Sequence, residues 1–186
     1  MKRPRPLLSI AAAFLLVALL LAGLRQLAGS RTVQLFGRLV AEAYPRDSLV
    51  ALTFDDGPAD AVVDSLIEVL RAHGAQATFF LIGRELAESP EAGQKLVAAG
   101  HELGRTTVMW SVEPDSYPDV AATPEGIVRH VLERARPGSI VILHPWYPSR
   151  RTSRAAIGPL VDSLHARGYR VVSVGRLLDS APDSAR

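Results

Sequence analysis

Residues 50–60 read VALTFDDGPAD. A short apolar run, Val50–Phe54, meets two adjacent acids, Asp55 and Asp56, and then the turn pair Gly57-Pro58. Such a run bounded by turn residues reads as a buried strand, which places both carboxylates at its C-terminal end. The next thirty residues decide the fold. Val63, Leu66, Ile67 and Leu70 recur at helical spacing and Gly74 stands where a helix C-cap belongs. Ala77–Ile82 is strand-like again. Strand then helix, repeated, is the rhythm of a parallel βαβ unit.

The rhythm continues to the end of the chain. A helix is expected over Arg84–Ala99, interrupted near Ser89-Pro90 and closed by Gly100. Thr106–Val112 reads as a third strand. Thr123-Pro124 supplies an N-cap and a first-turn proline for another helix. Ser139–Leu143 is a fourth strand, Ser153–Arg167 a helix closed by Gly168, and Tyr169–Val174 a fifth strand. The fold class is therefore α/β with a parallel sheet or barrel, and functional groups of such folds gather at the C-terminal strand ends.

Before residue 48 the chain is different. Leu7–Leu24 is 18 residues long and its only polar side chain is Ser9, with Lys2, Arg3 and Arg5 ahead of it. That length can cross a bilayer core, with the basic end in the cytoplasm. Two readings stand: a membrane anchor over residues 1–24, or a signal segment cleaved near Ala28-Gly29-Ser30. Both carry the rest of the chain out of the cytoplasm. Residues 25–47 read as a stalk, 48–178 as the folded domain and 179–186 as a tail. The formal charge of +2 hides an asymmetry: residues 1–46 carry +6 and residues 47–186 carry −4. The domain has no basic face for nucleic acid. Without cysteine, disulfides and thiolate zinc sites are excluded.

At the strand ends, two like charges as close as Asp55 and Asp56 repel unless a cation or donors compensate them. A divalent metal on one would free the other to act as a base on water. Helix capping by either acid is the structural alternative. His144 leaves strand four and can serve as a general acid, or it is simply a satisfied, partly buried histidine. Glu113 and Asp115 are the acids placed to orient it. Arg150, Arg151 and Arg154 suit a solvated loop better than an anion site.

The segments TFDDGP, GHELG, the tryptophan strand with EPDSYP, RPGSIVILHP and LHARGYRVVSVGRLL, in this order over residues 48–178, resemble the polysaccharide deacetylase family. The resemblance implies a distorted (β/α) barrel, a divalent metal that is usually zinc, and removal of N- or O-acetyl groups from sugar polymers. It makes Asp55 the catalytic base, Asp56 a metal ligand and His144 the acid. Asp115 becomes the support of His144, Leu143 the apolar lining of the acetyl pocket, and Trp110 part of the substrate-binding set.

The chain departs from the family after GHELG. The family continues with a histidine pair that completes the metal site; here those positions fall on Thr106 and Trp110. The Arg-Pro-Pro-Tyr segment is missing too. The pattern is that of an internal loss of several tens of residues, at least one βα unit, and an incomplete barrel with exposed strand edges. The expectations are a carbohydrate deacetylase of the cell envelope acting on a peptidoglycan- or chitin-like polymer, or a catalytically inactive glycan-binding relative, or a truncated, degenerate product.

Overall fold

The computed structural model describes residues 6–28 and 40–181 in two compact units, residues up to 39 and residues from 40 onward. In the first, the apolar run lies in helix α1, Pro6–Ala28, with Phe14, Leu15 and Leu20 exposed. Among the described residues no helix is long and apolar enough to cross a membrane.

In the second unit β1 (Leu49–Gly57), α2 (Asp60–Ala72), β2 (Thr78–Leu81), α3 (Gly83–Glu88), α4 (Pro90–Ala98) and β3 (Glu102–Leu103) succeed one another. Then come α5 (Pro118–Ala121), α6 (Pro124–Arg134), β4 (Ile140–Leu143), α7 (Arg151–Ala166), β5 (Arg170–Val172) and α8 (Val174–Asp179). Every strand pairing is parallel. The sheet runs β3-β2-β1-β4, and the first three residues of β1 pair in addition with β5. β1 is the axis and the longest of these strands, with Leu49–Phe54 almost wholly buried. Each large side chain buried there stabilises the fold by about 1.5–3 kcal/mol.

Helices cover one sheet face. Phe54, Phe79 and Leu143 pack there against Val63, Leu66 and Leu70 of α2 and Leu160 and Leu164 of α7. The expected β2 and β4 hold to within a residue at each end, β1 runs on past Phe54 to Gly57, and the α6 cap is real: Thr123 Oγ1 accepts from Gly126 N at 3.0 Å. Proline at the first position of α4 splits the expected long helix in two.

Three expectations change. Thr106–Val112 is no regular strand: Val108 bridges Val40, Val112 bridges Val141, and little joins them. The Ser111 hydroxyl accepts from Ile140 N at 3.1 Å, so a side chain enters the ladder where backbone would continue it. The expected stalk is shorter, because Val40 and Ala43 are buried with Leu49 and Ile140 in a second cluster of the domain. The expected tail is shorter as well: α8 runs into it, and Ala181 joins the same cluster. Residues 29–39 of the stalk lie outside the described residues.

The chain after β5 is fastened under the sheet. Thr78 Oγ1 accepts from Val174 N at 2.7 Å and Glu102 accepts from Gly175 N at 2.8 Å, while the Thr78 hydroxyl donates to Glu102 at 2.9 Å. The sheet is open: among the described residues β3 and β4 end its path.

Candidate active site

The bend at the end of β1 builds the site. Asp55 pairs with Phe80 and Gly57 with Leu81, so Asp56 is an extra residue, a β-bulge. Its φ of 71° lies in the left-handed region, which a non-glycine residue adopts at a cost. The bulge separates the two acids: Asp55 stays half-buried and Asp56 is exposed. Neither caps α2, whose N-cap is Ala59 with no side-chain hydrogen bond. Gly57 is required by close approach, because a Cβ there would collide with the Trp146 ring.

Side chains alternate across a strand. Thr53 and Asp55 therefore face away from Phe54 and line a cavity of about 240 Å³. Ile142 and Phe80 contribute to the lining, and residues 104–110 complete it. Trp110 is among them. Leu143 is not: it is fully buried on the helix-covered face beside Phe54. Ile142, one residue earlier, is the apolar strand residue of the cavity, and alternation along IVIL was the signal that separates the two.

Asp55 Oδ1 is buried with no hydrogen-bond partner. Burial pushes the Asp55 carboxyl up to about 6; Asp56 and Glu113 push the same way, and His144 opposes them. His144 stands at the end of β4 with Asp115 behind it. Asp115 Oδ2 accepts from His144 N at 2.8 Å and lies 3.4 Å from its Nδ1, while Oδ1 accepts from the Ser153 hydroxyl at 2.6 Å. The contact with Asp115 raises the His144 pKa against the opposing effect of burial. Burial would raise Asp115, but its hydrogen bonds from His144 and Ser153 prevail and hold it below the usual carboxylate range. Of the two acids expected to orient His144, Asp115 does so. Glu113 instead accepts from Trp110 Nε1 at 2.9 Å.

Sequence reasoning missed Ser153, which locks Asp115 from α7, because a serine in a first helical turn carries no signal of its partner. Arg150 donates to the Asp115 carbonyl at 3.2 Å and Arg154 to the Tyr147 carbonyl at 2.8 Å. These arginines brace the loop after β4.

The side chains present do not form a zinc site. Such a site takes about three protein ligands and a water, and among the described residues no group of three or more His, Asp or Glu is placed to hold a metal. Thr106 and Trp110 line the cavity where the family resemblance calls for two imidazoles. His101 cannot substitute. Its ring stacks on Phe79 at 5.5 Å, on the helix-covered face, and burial without a partner keeps it neutral. Among the described residues Asp56 belongs to no such group.

Known proteins bear on this site directly. Residues 42–136 match the polysaccharide deacetylase family. The chain is 25% identical over 199 residues to a peptidoglycan-N-acetylglucosamine deacetylase of Bacillus cereus, covering 76% of this chain and 93% of that one. It is 27% identical over 192 residues to a chitooligosaccharide deacetylase of Azorhizobium caulinodans, covering 66% and 90%. The Bacillus cereus match draws on 76% of 186 residues, about 141, so roughly 58 of its 199 positions face gaps in this chain. Among solved structures, the Bc1960 peptidoglycan N-acetylglucosamine deacetylase superposes with a TM-score of 0.70 at 19% identity, over 77% of this chain and 94% of that one. A protein of Bacillus anthracis described as a CE4 family pseudoenzyme superposes at 0.68 and 20% identity, over 79% and 71%. Matched over more than half its length, this chain belongs to the polysaccharide deacetylase family.

Proposed function

We propose that this chain acts on acetylated sugar polymers at the cell envelope, as a carbohydrate deacetylase whose acid and base are His144 and Asp55. One observation carries the reading: a half-buried, unpartnered carboxylate faces a cavity while a histidine oriented by a buried aspartate stands near enough to shift its titration. Above about pH 6 Asp55 is ionised and can take a proton from water. The hydroxide so formed attacks the acetyl carbonyl carbon, the bond from that carbon to the sugar nitrogen or oxygen breaks, and acetate leaves. His144, kept protonated by Asp115, gives its proton to the departing amine or alcohol. Such acid–base assistance is worth about 10²–10⁴-fold. The family's metal supplies electrophilic help that these residues are not built to hold, so slow turnover is expected.

The test is acetate release from N-acetylated chitotetraose and from purified peptidoglycan by the full chain in mild detergent. Asp55→Ala and His144→Ala should each lower the rate by about 10²-fold; equal rates in all three proteins would sink the acid–base assignment. The missing ligand group favours a second reading, glycan binding without hydrolysis, which predicts saturable binding and no acetate.

The apolar run supports a further part of the proposal, that α1 anchors the chain with its domain outside the cytoplasm; the alternative is secretion after cleavage. Retention in carbonate-washed membranes supports the anchor, and an N-terminus mapped beyond residue 28 excludes it. We also place the missing family residues after Gly104, supported by the break in the family motif after GHELG and by the roughly 58 unmatched positions. Re-reading the coding DNA at Gly104–Arg105 checks this: an intact histidine pair there would refute it.

A further inference from the structure

We infer that the cavity beside Asp55 takes its acetylated glycan without a metal ion, with the Trp110 indole as the surface on which a sugar ring lies. The inference rests on the proposed glycan reading and narrows it. Trp110 and Thr106 line the same cavity as Asp55, in the stretch after GHELG where the resemblance calls for a histidine pair. An indole N–H only donates, and this one already donates to Glu113, so Trp110 offers a cation nothing but a ring face. Of the other acids near the site, Asp115 accepts hydrogen bonds at both oxygens from His144 and Ser153, Glu113 accepts from Trp110, and Asp56 is exposed on the bulge.

The same groups suit a sugar. Ligand pockets combine apolar and aromatic lining with a few convergent polar groups. Here Phe80 and Trp110 supply the rings, Ile142 a patch for the acetyl methyl, and the Arg105 guanidinium and Thr106 hydroxyl supply polar contacts at the opening. Asp55 Oδ1, buried and unpartnered, is an acceptor suited to the acetamide N–H. A group that in a metal site would face a cation-bound water faces here a cavity with aromatic lining.

The experiment is calorimetric titration of the full chain, in mild detergent, with N-acetylated chitotetraose in EDTA and in zinc, together with elemental analysis of the purified protein. Expected are dissociation constants that agree within about twofold and far less than one zinc per chain. Trp110→Ala should weaken binding about tenfold or more, the scale of losing an aromatic anchor, and Trp110→Phe should retain it. Tryptophan fluorescence locates the event: of the two tryptophans, Trp146 is 2% exposed under Gly57, so a glycan-induced change reports Trp110. Binding seen only with zinc, or stoichiometric zinc on the purified chain, overturns the inference and leaves the glycan reading standing. Unchanged affinity in Trp110→Ala overturns the role of the indole. No binding under either condition overturns the glycan reading itself. If Trp110→Ala fails to fold, the EDTA–zinc comparison and Trp110→Phe still decide.

Discussion

Replacing Asp55 with asparagine should stabilise the domain at alkaline pH and do almost nothing at pH 4. Burial is the largest cause of the elevated Asp55 titration, at about 6 against an ordinary carboxylate value near 4. Linkage sets the sign. A carboxyl raised in the folded state holds its proton more tightly there than in the unfolded chain. Its contribution is therefore most favourable below pH 4 and is lost as pH rises from 4 through 6. Fully buried, the displacement would cost the fold about 3 kcal/mol at pH 8. Solvent reaches part of this side chain, and screening reduces the figure to about 1–2 kcal/mol. Asparagine keeps the shape without the charge, so Asp55→Asn should gain that amount at pH 8, equivalent to roughly 2–8 °C in Tm for a chain of this size. At pH 4 the two proteins should melt within about 1 °C of each other. The assay is thermal denaturation monitored by circular dichroism at both pH values, in EDTA. Equal melting shifts at pH 4 and pH 8, or a variant less stable at pH 8, would refute burial as the governing influence on Asp55.

Three other perturbations read out separate parts of the structure. Asp115→Asn removes the charge that raises His144, so the His144 ring should titrate at lower pH, measured by its Cε1 proton resonance; an unmoved resonance would contradict the pairing. Gly57→Ala forces a methyl into the space of the Trp146 ring and should cost about 1–3 kcal/mol in denaturant melts, with Trp146 fluorescence shifted. Glu102→Ala leaves the Thr78 hydroxyl and Gly175 N without their shared acceptor and should cost about 1–3 kcal/mol, with faster hydrogen exchange at Gly175 than at core amides of β1.

β3 is two residues long and ends the sheet path, and the chain passes from it directly into residues 104–112, which touch β4 at the opposite end of that path. The segment after β3 lines the cavity itself, which puts Trp110 and Thr106 in one lining with Asp55.

Much of this was legible along the chain because it depends on neighbours in sequence. The buried strand before Asp55, the amphipathic spacing of α2, the Thr123-Pro124 cap and the break at Pro90 are local consequences of side-chain shape and backbone chemistry. The resemblance likewise rests on contiguous motifs, which is why Asp55, His144 and the absent histidine pair are recognisable from residue order alone. What joins distant residues was decided only in three dimensions. Pleat direction put Ile142 rather than Leu143 in the cavity. A bulge set Asp56 in solvent and Asp55 in shelter. Glu113 and Asp115 are interchangeable by spacing, and packing from α7 gave His144 to Asp115 because Ser153 arrives there from 38 residues away. A carboxylate's titration and a histidine's partner are set by burial and by what the fold carries next to them, and neither is written in the residues on either side.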